Sequence, residues 1–154
     1  LGKAADVCAN KFGQSESIVD TKTVLGRTLA LVEEPGQRFI CANVQETDLM
    51  GHRENVEGYA EILRVADGGI DKIANSLRPE DVLVVMADHG NDPTIGHPHH
   101  TRERVPLLIA HNGAPVGSIG TRKTLSDVGA TACEYFDAGK PQNGESFLAK
   151  IGVR

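Results

Sequence analysis

The sequence lacks the features that mark membrane, nucleic-acid-binding and disulfide-stabilised proteins. It contains no apolar run of 18 or more residues, which argues against a membrane span. Its 16 basic residues stand against 21 acidic ones, with no basic patch of the kind that binds nucleic acid. The three cysteines, Cys8, Cys41 and Cys133, are far apart and odd in number, which indicates buried free thiols in a reducing compartment. No charged-then-apolar leader opens the chain, so we expect a cytoplasmic protein.

The apolar residues that are present suffice for one ordinary core, since they make up 40% of 154 residues. Three short apolar runs, over residues 38–44, 81–87 and 105–110, predict buried strands. Runs that are almost continuously apolar are typical of a sheet covered on both faces. No repeat, low-complexity tract or linker interrupts the sequence, so we predict one domain over residues 1–154.

An apolar stripe between the first two predicted strands indicates a long helix that begins after Asn55 and ends before Pro79. Gly68 and Gly69 inside it weaken the helix by about 1 kcal/mol each relative to alanine. Further helices are predicted over residues 21–32, 126–136 and 146–151. A strand–helix–strand order implies parallel strands joined by a right-handed crossover. The predicted fold class is therefore α/β, a three-layer sandwich with a mainly parallel sheet.

Side chains that commonly bind metals cluster where the predicted strands end. Asp48 and His52 follow the first strand, Asp88 and His89 follow the second, and His100 precedes the third. Sites in open α/β sheets form outside the carboxyl ends of the strands, so we expect these side chains to converge. Carboxylate and imidazole together suit manganese, iron, zinc or cobalt. Five protein ligands exceed what one catalytic ion takes, and two ions about 3.5–4 Å apart, which clamp a phosphate, fit better.

Local structure offers a simpler explanation for several of these polar residues. Asp88–His89 alone could form a buried ion pair or a satisfied core histidine. Arg102 is a candidate for bidentate binding of phosphate, and pairing with Glu103 or another surface acid is the alternative. The same choice between chemistry and a supporting or turn-forming role applies to other polar residues of these loops, namely Asp92, His97 and His99.

Three motifs together resemble the metal-binding segments of phosphopentomutases, which belong to the alkaline phosphatase superfamily with the cofactor-independent phosphoglycerate mutases. The motifs are DLMGH at residues 48–52, ADHGNDPT at residues 87–94 and HTRERVP at residues 100–106. Residues 2–7, 125–131 and 143–148 also resemble family segments, so the likeness covers nearly the whole chain.

The resemblance implies an alkaline-phosphatase-like core that holds two divalent metal ions, most often Mn²⁺, and acts on a sugar phosphate. It places the first ion on Asp48, His52 and His100, and the second ion on Asp88 and His89. Lys3 stands where a phosphate-contacting lysine is expected.

Two departures from the family pattern limit what the chain is expected to do. Family members carry a further metal-binding Asp and a phosphorylated Thr or Ser nucleophile before the cap domain, and no segment here matches either. The chain thus resembles the C-terminal half of the catalytic core, and Leu1 rather than Met stands first. We expect it to need the missing N-terminal half, or to self-associate through an exposed sheet edge. The three residues between Asp48 and His52 match phosphoglycerate mutases, which leaves the sugar phosphate open.

The function that the resemblance implies is a phosphomutase that works through a phosphorylated Thr or Ser and is inactive as this chain alone. One alternative is a phosphatase, a phosphodiesterase or a phosphoglycerate-mutase-like enzyme that uses the same metals. The other is a non-catalytic module that binds a metal or a partner chain. Neither nucleic acid nor a membrane is an expected partner.

Overall fold

The computed structural model describes residues 1, 13–111 and 114–153, which fall into two compact units. The first unit consists of Leu1–Arg78 and His89–Val105, and the second consists of Pro79–Asp88 and Pro106–Arg154. The single domain predicted over residues 1–154 stays a prediction. Cys8 and Lys3 lie outside the described residues.

The first unit contains the helices α1 (Thr21–Glu33), α2 (Glu46–His52) and α3 (Val56–Asn75). The predictions of α1 and α3 are confirmed, including the N-cap of α3, where the side chain of Asn55 accepts a hydrogen bond from the backbone N–H of Gly58 at 2.9 Å. Helix α2 was not predicted. It lies between the strand predicted over residues 38–44 and the helix predicted to begin after Asn55.

Helices α1 and α3 pack closely because of a glycine on α3. A Cβ atom built on Gly69 would lie 2.5 Å from Leu25 Cδ1, far inside van der Waals contact. Leu25 is buried, with 7% of its surface exposed. The glycine that weakens α3 as an isolated helix therefore lets its backbone approach the side chain of α1.

The second unit contains a small sheet and two helices. Its elements are β1 (Val82–Met86), β2 (Leu107–His111), β3 (Ala114–Pro115), α4 (Ser126–Tyr135) and a short 3₁₀ helix (Leu148–Ile151). One face of the sheet contributes Ile109 to a core that includes Phe147, Leu148 and Ile151. The predictions of the helix after residue 126 and of a short last helix are confirmed.

The predicted parallel sheet is wrong for the strands that the structure describes. β1 pairs antiparallel with β2, with Val84 opposite Ile109, and β2 pairs antiparallel with β3. Within the described part of the chain, no helix separates β1 from β2, so the crossover that a parallel pair needs is absent. The strand predicted over residues 38–44 is also wrong, because none of these residues forms a ladder with another described residue.

Buried Asp127, paired with the largely buried Arg122, fixes the last part of the second unit to α4. Arg122 Nε donates to Asp127 Oδ2 at 2.7 Å, and the backbone N–H of Glu145 donates to Asp127 Oδ1 at 2.8 Å. Two residues later, the N–H of Phe147 donates to the hydroxyl of Thr131 at 3.0 Å. The chain after α4 is thus held by side chains from the first two turns of that helix.

The cysteine prediction is confirmed in one respect and wrong in another. Cys41 and Cys133 are both free thiols, as expected. Cys41 is exposed and Cys133 is partly exposed, so neither is the buried residue that was predicted.

Among the described residues, no helix combines the length and the apolar character needed to cross a bilayer.

Candidate metal centre

Helix α2 places two of the predicted ligands on one face. Asp48 and His52 are four residues apart, and residues at this spacing lie above one another on a helix. His52 Nε2 lies 3.3 Å from Asp48 Oδ1. The three-residue gap between them therefore corresponds to one helical turn.

A loop closed by a single bridge brings two further histidines together. Gly90 and Thr101 form an isolated antiparallel bridge, in which the N–H of Thr101 donates to the carbonyl of Gly90 at 3.0 Å. His89 precedes Gly90 and His100 precedes Thr101, so the two histidines lie diagonally across the bridge. Their rings stack with centroids 3.7 Å apart.

Three ligand atoms converge at the spacing that a bound metal ion requires. Asp48 Oδ1 lies 3.3 Å from the Nε2 atoms of both His52 and His100, and these two nitrogens are 3.1 Å apart. Ligands that bind one ion at about 2.1 Å in a tetrahedron lie about 3.4 Å from one another. The donor set of one carboxylate and two imidazoles suits a divalent transition metal. The residues present therefore fit the ion that the sequence implies.

A backbone carbonyl orients the ring of His52. Its Nδ1 atom lies 2.6 Å from the carbonyl oxygen of Pro98, which can only accept a hydrogen bond. A proton on Nδ1 leaves Nε2 of the neutral ring with the lone pair that a metal ion needs. His89 shows the same arrangement, with Nδ1 3.1 Å from the carbonyl of Gly90.

The surroundings of Tyr59 indicate a negative potential in this part of the first unit. Burial raises the pKa of the Tyr59 hydroxyl, and the carboxylates of Asp92, Glu103 and Asp48 raise it further. The same carboxylates favour the binding of a cation.

The two ligands predicted for the second ion, Asp88 and His89, belong to different units. His89 lies beside the first three ligands, with its Nε2 atom 3.9 Å from Asp48 Oδ1. Asp88 is exposed, follows β1 by two residues and belongs to the second unit. The assignment of both to a second ion stays a prediction.

The other candidate residues of these loops mainly form hydrogen bonds within the loops. Asp92 sets a turn, because its Oδ1 accepts from the N–H and the hydroxyl of Thr94 at 2.8 and 2.7 Å. These hydrogen bonds lower the pKa of Asp92. The N–H of His99 donates to His97 Nδ1 at 3.3 Å within the loop. Arg102 is exposed, and its role at a phosphate stays a prediction, as does that of Lys3.

Sequence reasoning missed the contribution of Asn91, whose side chain bonds to Asp48. Its place in the ADHGNDPT motif, two residues after a predicted ligand, was the available signal. Gly51 was missed as well, although it is a glycine inside the DLMGH motif. A Cβ atom there would lie 2.4 Å from the side chain of Asn91.

Comparisons with known proteins point to a family of metalloenzymes. A family model described as the metalloenzyme superfamily matches residues 10–140. The phosphopentomutase of Anaeromyxobacter dehalogenans (strain 2CP-C) is 40% identical over 154 residues, which cover 98% of this chain and 39% of that protein. The phosphopentomutase of Aliivibrio fischeri (strain MJ11) is 35% identical over 151 residues, which cover 96% of this chain and 37% of that protein. The chain thus spans about two fifths of the length of the curated relatives it matches.

Proposed function

We propose that this chain, which belongs to the metalloenzyme superfamily, is the metal-binding part of a phosphopentomutase-like phosphomutase. The proposal is carried by the convergence of Asp48 Oδ1 with the Nε2 atoms of His52 and His100 at 3.1–3.3 Å. The likeness to proteins named phosphopentomutase supports a sugar phosphate as the substrate class.

In this proposal the chain holds two divalent ions, of which manganese is the expected one. Asp48, His52 and His100 hold the first, and Asp88 with His89 holds the second. When bound, the ions neutralise charge on the phosphate oxygens and align the attacking and leaving oxygens. The protein contributes a rigid ligand set, because the carbonyl of Pro98 orients the ring of His52.

The rest of the reaction is proposed for the whole protein, since the relatives are more than twice as long as this chain. A Thr or Ser outside this chain would carry the phosphoryl group between two positions of the sugar. The chain would then be part of an alkaline-phosphatase-like α/β core and inactive alone. Arg102 and Lys3 are proposed to contact the phosphate, and the cytoplasm is the proposed location.

One observation favours a second candidate function. The one-turn spacing of Asp48 and His52 on α2 is the spacing that resembles phosphoglycerate mutases. A phosphoglycerate-mutase-like enzyme would use the same first ion, and only the acceptor and donor positions on the substrate would differ.

The test is a chimera in which this chain replaces the matching 154-residue alignment region of the Anaeromyxobacter dehalogenans phosphopentomutase. We expect Mn²⁺-dependent interconversion of ribose 1-phosphate and ribose 5-phosphate, measured by ³¹P NMR. The Asp48→Asn variant of the chimera should lose this activity, and the unaltered relative is the positive control.

Three other results would contradict the proposed function. Turnover of 3-phosphoglycerate but not of ribose 1-phosphate would favour the phosphoglycerate-mutase-like enzyme. Hydrolysis of an aryl phosphate without mutase activity would favour a phosphatase. Mn²⁺ binding by a folded chimera without any turnover would favour a non-catalytic module.

A further inference from the structure

Asn91 makes two hydrogen bonds to one ligand residue of the candidate metal centre. Its Nδ2 group donates to Asp48 Oδ1 at 2.7 Å and to the backbone carbonyl of Asp48 at 3.1 Å. Asp48 Oδ1 is the same oxygen that lies 3.3 Å from the Nε2 atoms of His52 and His100. The amide therefore acts on the atom at which the three ligands converge.

The orientation of this amide is fixed by chemistry. Both of its partners on Asp48 are acceptors, so the NH₂ group must face them and the carbonyl oxygen must point away. That oxygen, Asn91 Oδ1, is buried and has no hydrogen-bond partner among the described residues. A buried acceptor without a partner costs about 1–3 kcal/mol. The amide therefore carries a cost in stability that an apolar side chain at this position would not.

The backbone of α2 leaves room for the amide at one residue. A Cβ atom on Gly51 would lie 2.4 Å from both Asn91 Cγ and Asn91 Oδ1. Gly51 is buried, so the amide is enclosed by the helix that carries Asp48. This close fit restricts the movement of Asn91.

We infer that Asn91 is a positioning residue that directs one carboxylate oxygen of Asp48 at the metal ion. A carboxylate oxygen has two lone-pair directions, and the amide occupies one of those on Oδ1. The second lone-pair direction of Oδ1 remains for the ion, on the side of the His52 and His100 rings. Loss of a group that orients a metal ligand commonly weakens metal binding by about 10–100-fold.

The inference rests on the proposed metal site, and two variants test it. Asn91→Leu keeps the branched shape of the side chain but removes both the donor and the buried acceptor. We expect it to unfold at a temperature similar to that of the metal-free parent chain, yet to bind Mn²⁺ at least about 10-fold more weakly. Asn91→Ala removes the same donor with a smaller side chain, and we expect the same loss. Mn²⁺ affinity is measured by titration followed by EPR, and thermal unfolding by circular dichroism with EDTA present.

Asn55→Ala is the matched control, since Asn55 makes a structural hydrogen bond at the start of α3 without touching a ligand. This variant should unfold at a lower temperature and keep the parent affinity for Mn²⁺. Parent-like affinity in Asn91→Leu and Asn91→Ala would overturn the inference and leave the metal site intact. An equal loss of affinity in Asn55→Ala would also overturn it, because the effect would then be general loosening. If the parent chain does not bind Mn²⁺, the proposed metal site itself is contradicted, and so is the inference that rests on it.

Discussion

His100 takes part in the candidate metal centre through one atom, Nε2, which lies 3.1 Å from His52 Nε2. Replacing His100 with Ala removes this ligand atom, so we expect Mn²⁺ affinity to fall by at least about 10-fold. The His100 side chain is 48% exposed, so the substitution should cost the metal-free protein little stability. Isothermal titration with Mn²⁺ measures the first effect, and thermal unfolding in EDTA measures the second.

His99→Ala is the control for this residue, because it makes the same change at the next position. His99 is exposed and its ring contacts His97 rather than the ligand set. We expect parent-like Mn²⁺ affinity in this variant. An equal loss in His99→Ala and His100→Ala would mean that the loop, and not the ligand atom, determines binding.

The sequence identified the ligand types at the candidate centre but not the interactions that orient them. Asp48, His52 and His100 could be chosen because carboxylates and imidazoles are the side chains that divalent transition metals prefer. Asn91 could not be chosen in this way, since amides are common in loops. Its role depends on a space above Gly51 that exists only once α2 has formed.

At the scale of the elements, the two adjacent glycines of α3 should respond in opposite ways to the same substitution. Gly69→Ala places a methyl group against buried Leu25, and overpacking of this kind costs about 1–3 kcal/mol, which outweighs the gain in helix propensity. Gly68→Ala meets no atom within 4 Å and should stabilise the protein by about 1 kcal/mol. Urea denaturation of both variants measures the difference, and stabilisation by both would show that α1 and α3 do not pack as described.

Local patterns predicted the helices α1, α3 and α4 and the strands β1 and β2, but not the direction in which the strands pair or the lack of a strand over residues 38–44. The apolar stripe of α3 and the cap at Asn55 are properties of neighbouring residues, so the sequence displays them directly. A strand instead needs a partner, and residues 38–44 have the right composition without a described partner. Strand direction is likewise set by the chain between strands, which here runs from β1 to β2 without an intervening helix.

The link between Asp127 and the chain after α4 should make the stability of the second unit depend on pH. The hydrogen bond from the N–H of Glu145 lowers the pKa of Asp127 most, and Arg122 lowers it further. A carboxyl group whose pKa is lower in the folded state than in the unfolded state stabilises the fold. This stabilisation is complete at a pH above the unfolded-state pKa of about 3.9, and it is lost as the pH falls through the folded-state pKa. We therefore expect the free energy of unfolding to fall below about pH 4.

Asp127→Asn isolates this contribution, because the amide keeps the volume and one acceptor but cannot titrate. Near pH 7 the variant should be destabilised by about 3 kcal/mol, the order of loss when one partner of a buried ion pair is removed. Below about pH 4 the difference between variant and parent should shrink. Urea denaturation from pH 3 to 7 provides the measurement, and a difference that stays constant over this range would contradict the assigned role.

At the scale of the whole molecule, large apolar side chains at the surface predict self-association. Leu108 on β2 is 62% exposed and lies opposite Val85 on the same face of the sheet, and Phe39 in the first unit is 67% exposed. β1 is an edge of the sheet formed by the described strands. Exposed apolar surface beside an open edge favours association between chains. We expect the parent chain to elute from size-exclusion chromatography earlier than a monomer, with an elution volume that depends on concentration.

Leu108→Lys should shift this equilibrium towards the monomer, because it removes the apolar contact and adds a charge beside the edge. Leu125→Lys makes the same chemical change at a residue that is 47% exposed but lies at the start of α4 rather than on a strand. It should associate as the parent does. Mn²⁺ affinity should be unchanged in both variants, since neither residue belongs to the proposed ligand set. A parent chain that elutes as a monomer at every concentration would contradict the prediction, and equal effects of the two substitutions would show that net charge, rather than the sheet, controls association.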